Sequence, residues 1–371
     1  MLGRTYMNRL LFACALLLSR VFTGHSYAQQ QYPVDVLEGL DPVMLVQGKE
    51  VQGEMNLTVT RGLFRYMFAN AANRAAFEQD PARYEIQLGG HCTRMGAPTT
   101  GNPDLFTVYR EHIYLFGSGE CKKLFEATPQ RYFEPEHKSS TTAATPDQLR
   151  KGQALVEQAV AAIGGAQLLD GLSSYQEKNI VSPQVDFSYT LAFPDQVRKD
   201  QRFGSFQGAA VINRATGEAL TIVRENSLPM TTQYQQVLRQ EIGRKPLILL
   251  RTRTRADFKA VSLGAGQAGE IATEQVSIEV GGVALQIGLE PNTGRILSLA
   301  YTGRGPGGDY GQVVQSFLDF RKVDGLTLPF KVATSFNGQP WPQQSFAVES
   351  IVINGKPDPA LFARPAASRE R

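Results

Sequence analysis

The sequence predicts an α+β chain in two parts: two copies of a small strand–turn–helix unit, then an antiparallel open β-barrel or half-barrel with a few helices. Three observations predict it. Tyr66, Phe68, Phe77, Pro81, Arg83 and Tyr84 recur at a constant spacing of 48 residues as Tyr114, Phe116, Phe125, Pro129, Arg131 and Tyr132. Residues 136–148 are polar and small, without a hydrophobic period, and read as a linker. Beyond the linker, short β-rich segments alternate with turn signals, the texture of an antiparallel meander.

Each repeat has an aromatic strand end (Tyr66-Met67-Phe68, Tyr114-Leu115-Phe116), a polar turn, an amphipathic helix and Pro-x-Arg-Tyr. The proline suits a helix stop, because the residue before it is pushed out of the helical region. After the linker, Thr145-Pro146-Asp147 opens a helix by capping, with proline in the first turn. Leu149, Leu155, Val156, Ala159, Val160 and Ile163 form its apolar stripe, and Gly164-Gly165 ends it. Strands follow at about 176–181, 186–193, 196–203, 208–213 and 218–224, spaced by turns such as Pro194-Asp195, Gly281-Gly282 and Asn337-Gly338. One helix, about Thr231 to Ile242, interrupts them with Tyr234, Val237, Leu238 and Ile242 on one face. The expected domains are 1–28 as a signal peptide, 34–135 as the tandem module, 136–148 as linker and 149–365 as the β domain.

The leader carries Arg4 and Arg9, an apolar run from Leu10 to Ser19, and Ser26-Tyr27-Ala28 before a Gln-rich stretch. These are the parts of a secretory signal, with cleavage near Ala28. The run is half of the roughly twenty residues a membrane helix needs, and no later segment is long and apolar enough to span. The expected location is the periplasm or the exterior. Deducting Arg4, Arg9 and Arg20 from the formal net charge of +3 leaves about zero, so the basic pI of 8.7 gives no reason to expect nucleic acid as partner.

The first half resembles the YHS family. Gly39-Leu40-Asp41-Pro42-Val43, Gly48-Lys49, Asn73-Arg74-x-x-Phe77, Asp80-Pro81-x-x-Tyr84 and Gly89-Gly90-His91-Cys92 carry the likeness over about 34–96. The second copy, from Tyr114 through Cys121 and Phe125 to Tyr132, is similar to that family's shorter core. The resemblance implies metal handling, copper especially. Two positions depart from it: Asn73 stands where the second copy has Cys121, and Val43-Met44 replaces a cysteine-methionine pair. The second half resembles the LolA-like lipoprotein-carrier superfamily. The matching residues are Ala162-Ile163-Gly164-Gly165, Phe193-Pro194-Asp195, Arg244-x-Pro246-Leu247, Asp319-Phe320-Arg321-x-Val323-Asp324-Gly325 and Asp358-x-x-Leu361-Phe362. That likeness implies an open barrel whose apolar concave face holds acyl chains.

His91, Cys92, Cys121 and His112 form the richest chemical cluster, since thiolate and imidazole suit copper or zinc. The alternatives are a Cys92–Cys121 disulfide, which export favours, and two separate thiols. Arg251, Arg253 and Arg255 alternate in strand period, which reads either as a docking edge for an acidic partner or lipid head groups, or as a solvated edge. Trp341, between two prolines, tops the sheet or rims a cavity. No G-x-S-x-G, P-loop, H-E-x-x-H or C-x-x-C occurs, and residues after 137 contain no histidine, so a histidine-based triad there is excluded. The expectation is a non-catalytic envelope protein that holds an apolar ligand, lipid or lipoprotein, or another envelope protein, with no required cofactor. The alternative is a periplasmic copper-binding or redox protein acting through the first half.

Overall fold

In a computed structural model the described residues are 33–135, 144–223 and 226–365; the predicted signal peptide and most of the predicted linker lie outside them. The chain divides into two compact units, the first ending at Glu85 and the second starting at Ile86.

The first unit contains β1 (Val34–Asp35), α1 (Pro42–Val46), β2 (Glu54–Arg61), β3 (Phe64–Phe68), α2 (Ala71–Gln79) and α3 (Pro81–Tyr84). Its sheet order is β1-β3-β2, with β1 parallel to β3. Phe77 from α2 is fully buried against Tyr66 and Phe68 of β3, with ring centroids 4.9 and 5.2 Å away. Asn70 caps α2 by accepting from the Asn73 N–H.

The second unit opens with the same pattern. β4 (Asn102–Tyr109) and β5 (His112–Phe116) form a hairpin, α4 (Gly119–Ala127) follows, and a 3-10 turn covers Pro129–Tyr132. Every one of these bounds is the first copy's plus 48. Even the bulges correspond, Glu54/Thr58 with Asn102/Phe106. Phe125 takes the place of Phe77, fully buried among Tyr114, Phe116 and Tyr132.

The correspondence also runs upstream, where it shifts by three residues. Ile86 bridges Ile113 in parallel as Asp35 pairs with Arg65. Leu37-Glu38-Gly39 and Leu88-Gly89-Gly90 share a run of positive φ. The Gly53 N–H donates to Gly39 O and the Gly101 N–H to Gly90 O, at 2.9 and 2.8 Å. The stretch from 86 to 101, including His91-Cys92, therefore belongs to the second copy and not to the end of the first.

The rest of the second unit is an open antiparallel sheet of fourteen strands among the described residues. In chain order these are β6 (Ser174–Ser182), β7 (Val185–Ala192), β8 (Gln196–Phe203), β9 (Phe206–Asn213), β10 (Glu218–Val223), β11 (Asn226–Pro229), β12 (Lys259–Ala268), β13 (Ile271–Val280), β14 (Val283–Leu289), β15 (Ile296–Arg304), β16 (Tyr310–Val323), β17 (Leu326–Phe336), β18 (Gln339–Pro340) and β19 (Phe346–Ile353). The sheet runs β11 to β6, then β19, β17, β16 and down to β12, with the short β18 on β17; its two end strands do not pair. Four helices complete it: α5 (Pro146–Ile163), α6 (Ala166–Asp170), α7 (Thr232–Gly243) and α8 (Pro246–Arg251).

Thr145 and Gln148 form a capping box at the start of α5, and Gly164 ends it at φ 140°. Leu155, Val156, Ala159, Val160 and Ile163 are buried as the stripe requires, whereas Leu149 lies exposed, outside it. At Gly152 a Cβ would come 2.5 Å from Ala260 O, so the missing side chain lets the helix lie directly on β12. These residues join Tyr234, Leu238 and Ile242 of α7, Leu247 and Leu250 of α8, and the facing strand residues in one core. Such burial contributes roughly 1.5–3 kcal/mol per large apolar side chain. No helix among the described residues is long and apolar enough to cross a membrane.

Candidate functional site

Between the sheet face, α7 and the Met95–Pro98 segment of the second copy lies a cavity of about 430 Å³. Its chemistry divides along the sheet. β16, β17 and β19 contribute the apolar Val313, Phe317, Leu328, Val332, Phe346 and Val348 with Gln315 and Thr334 among them, while β6, β8, α7 and the cap of α8 contribute Glu177, Lys199, Glu241 and Lys245. Strand alternation explains the placement, since Tyr175, Glu177 and Asn179 share one face of β6 and all three are buried.

The buried charges are paired. Glu177 accepts from Lys245 Nζ at 2.6 Å, Asn179 Nδ2 at 2.7 Å and the Tyr175 hydroxyl. Glu241 accepts from Lys199 Nζ at 2.6 and 2.9 Å and from the Tyr189 hydroxyl. Burial pushes both carboxyls up, but the adjacent ammonium charges and hydrogen bonds outweigh it and hold both below their ordinary value. Lys245 also sits 4.2 Å over the Tyr189 ring.

The opposite flank is different. Arg244 stacks on Tyr301 of β15, its guanidinium carbon 3.8 Å from the ring centroid. Its Nη2 reaches Gln240 Oε1 at 3.5 Å, the guanidinium also donates to the Tyr301 hydroxyl, and its buried Nε has no hydrogen-bond partner among the described residues. Arg304 spends its donors on backbone: Nη1 on the carbonyls of Thr93, Arg94 and Gly308, Nη2 on that of Tyr132. This ties the second copy to β15, and the Arg131–Asp309 pair at 2.9 Å reinforces it.

Cys92 and Cys121 meet in the second copy as free, buried thiols joined by a hydrogen bond. The equivalent pair in the first copy is Asp41 and Asn73. Asp41 is fully buried and accepts from the Met44 and Ala69 N–H groups and from Asn73 Nδ2. Cys92 accepts from the N–H groups of Met95 and Gly117, the matching positions. A sulfur thus occupies a cradle that elsewhere in the same chain holds a carboxylate. The Cys92 hydrogen bond, followed by Ser118 and the Arg94 guanidinium 3.7 Å away, pulls the Cys121 thiol down to about 5 against burial. The same bond and burial push Cys92 up.

The other two members of the predicted cluster do not join the pair. His91 Nε2 bonds the hydroxyl of Thr231, the cap of α7, 2.5 Å away, and burial lowers its pKa. His112 stands at the far end of β5, opposite Tyr109 beside the hairpin turn. Among the described residues no three His, Cys, Asp or Glu side chains gather as a metal group, so a tetrahedral zinc site does not fit here.

The strand reading of Arg251, Arg253 and Arg255 is corrected. Pro246 at the first turn and the Leu247–Leu250 run make α8, and Thr252–Thr254 is a 3-10 turn. Arg251 Nη1 donates to the carbonyls of Leu169 and Leu172, Arg253 grips Asp170 with both Nη groups, and Arg255 pairs with Asp257. Trp341 lines the cavity and packs edge-on against Phe336, 5.9 Å between centroids. The sequence reading missed Glu177, Lys199, Glu241, Arg244 and Lys245; a charged residue on the buried face of a strand, as at Glu177, was the one signal available.

No family model matches the chain, and no curated protein matches it. Among solved structures it is similar to a putative outer membrane lipoprotein-sorting protein domain from Vibrio parahaemolyticus, at 7% identity and TM-score 0.33, covering 58% of this chain and 97% of that one. It is similar to a LolA superfamily protein from Nitrosomonas europaea, at 9% identity and TM-score 0.36, covering 57% and 97%. A DUF1329 family protein from Desulfovibrio piger is a third, at 10% identity and TM-score 0.30, covering 60% and 99%.

Proposed function

We propose that the protein is an exported, non-catalytic binding protein that holds a lipid or similar amphiphile in the cavity of its β domain. The observation that carries this reading is the cavity itself: about 430 Å³, within the size range of ligand sites, with an apolar floor on β16, β17 and β19. An acyl chain laid on that floor gains about 0.8 kcal/mol per buried methylene. The LolA-like sequence features at Phe193-Pro194-Asp195 and Asp319 to Gly325 agree with such a role. The two strand–turn–helix copies are YHS-like modules, the second forming one wall of the cavity through Met95, Ala97 and Pro98. Native mass spectrometry of protein purified without detergent tests the reading. A co-purified mass of several hundred daltons that denaturation releases supports it; a clean apo mass together with no uptake of added lipid contradicts it.

A second reading rests on the Cys92–Cys121 pair in the Asp41–Asn73 position: a redox-active dithiol, or a two-sulfur site for a soft ion such as Cu(I). Thiol titration with elemental analysis separates the outcomes. Copper lost in Cys121→Ser supports a metal, two blocked thiols without metal support a disulfide, and two free thiols without metal refute this reading.

A further inference from the structure

The cavity is not apolar throughout, and its charges are not equivalent. Glu177 and Glu241 are each satisfied by a lysine and a tyrosine hydroxyl, so that flank offers a ligand little. On the β15 flank two guanidinium groups line the same space, and neither has a carboxylate partner among the described residues. Arg304 directs Nη1 at three carbonyls and Nη2 at a fourth, which ties it to the cavity wall, and it adds positive potential to the recess. Arg244 has donors to spare. Its guanidinium is held against Tyr301, the central carbon 3.8 Å from the ring centroid and one N–H on the hydroxyl, and its buried Nε is unmatched. A planar fork held by stacking in a recess is suited to accept an oxyanion, and such charge-assisted bonds are about twice as strong as neutral ones. Next to Tyr301 in the sheet begins the apolar floor, with Val313 and Phe317 on β16 and Val332 on β17.

Resting on the binding role proposed above, we infer that the ligand is an anionic amphiphile: its carboxylate or phosphate head is held by Arg244 beside Tyr301, and its single chain lies along β16, β17 and β19. The head is an oxyanion because the buried unmatched group at the margin of the floor, Arg244 Nε, is a donor. The ligand is amphiphilic because the donors stand at the margin of the apolar floor. A cationic amphiphile would meet Arg244 and Arg304 beside the apolar floor, where Glu177 and Glu241 are already paired and the one other lining carboxylate, Glu134, lies exposed on the second copy.

The test is isothermal titration of the full purified chain, below micelle-forming concentrations, with dodecyl phosphate, dodecanoate, dodecanol and dodecyltrimethylammonium. The expected result is at least about tenfold tighter binding of the two anions than of dodecanol, with the cation weakest. The stronger of the two anions separates a phosphorylated head from a fatty acid. Arg244→Gln should bring the anions to within about twofold of dodecanol while leaving dodecanol unchanged, which also shows the variant to be folded. Arg244→Lys, keeping charge but losing the fork, should fall between. Equal binding of anion and alcohol overturns the inference and leaves the cavity reading standing, as does tighter binding of the cation. An anion preference that survives Arg244→Gln removes Arg244 from the role. No binding of any probe overturns both.

Discussion

The two copies of the strand–turn–helix unit agree in every element bound from the paired strands onward, yet they put different chemistry in the same cradle. In the first, a buried Asp41 carboxylate gathers backbone donors and Asn73; in the second, Cys92 does so with Cys121. The backbone fixes the geometry of a site that accepts hydrogen bonds, and the side chain decides whether it is structural or reactive. The second copy is also the one tied by Arg304 to the cavity wall.

The strongest way to break the comparison is Asp41→Ala. It strands the Val43, Met44 and Ala69 N–H groups and the Asn73 amide together, and should cost about 3–5 kcal/mol of first-unit stability in urea unfolding. A loss below about 1 kcal/mol would mean the carboxylate is not the organiser. Lys245→Met comes next. It leaves Glu177 buried with Tyr175 and Asn179 only, and about 3 kcal/mol of lost stability is expected for a broken buried pair; the double variant Glu177→Gln/Lys245→Met should recover part of it.

Gly152→Ala should cost about 1–3 kcal/mol by pushing α5 off Ala260, read as a lowered thermal midpoint. Smaller in energy but sharper in chemistry is Cys121. Its folded value of about 5 lies below the ordinary thiol value of 9.0. The thiolate therefore favours the folded state above that unfolded value, and the contribution is lost as pH falls toward and through 5. Wild-type protein should lose stability relative to Cys121→Ser as pH is lowered from 9 to 5, and Cys92→Ser should shift the alkylation profile of Cys121 upward. A flat difference across that range would remove the shared proton from the account.

Much of this was legible. The 48-residue spacing of Tyr66, Phe77 and Tyr84 with Tyr114, Phe125 and Tyr132 follows from aromatic residues that must fill the same small core twice. The Thr145-Pro146-Asp147 cap and the turn signals located α5 and the strand meander, and the open antiparallel sheet is as expected. The upstream half of the repeat was hidden because its side chains differ and its loop is three residues shorter in the second copy. Only Leu-x-Gly at 37–39 and 88–90, needed for a run of positive φ, marks it. The Arg251 to Arg255 alternation misled because a two-residue period over five residues competes with a proline-started leucine helix, and the helix wins by burying Leu247, Leu249 and Leu250. The cavity charges were invisible for another reason: Glu177 and Lys245, or Lys199 and Glu241, meet only after the sheet has curved past α7.

Trp341 lines the cavity and is the chain's single tryptophan, so its emission reports the central claim directly. Titrating dodecyl phosphate into the purified protein should shift and change that emission saturably, at one ligand per chain. Emission that stays flat up to the micelle threshold would contradict a ligand-holding cavity in the β domain.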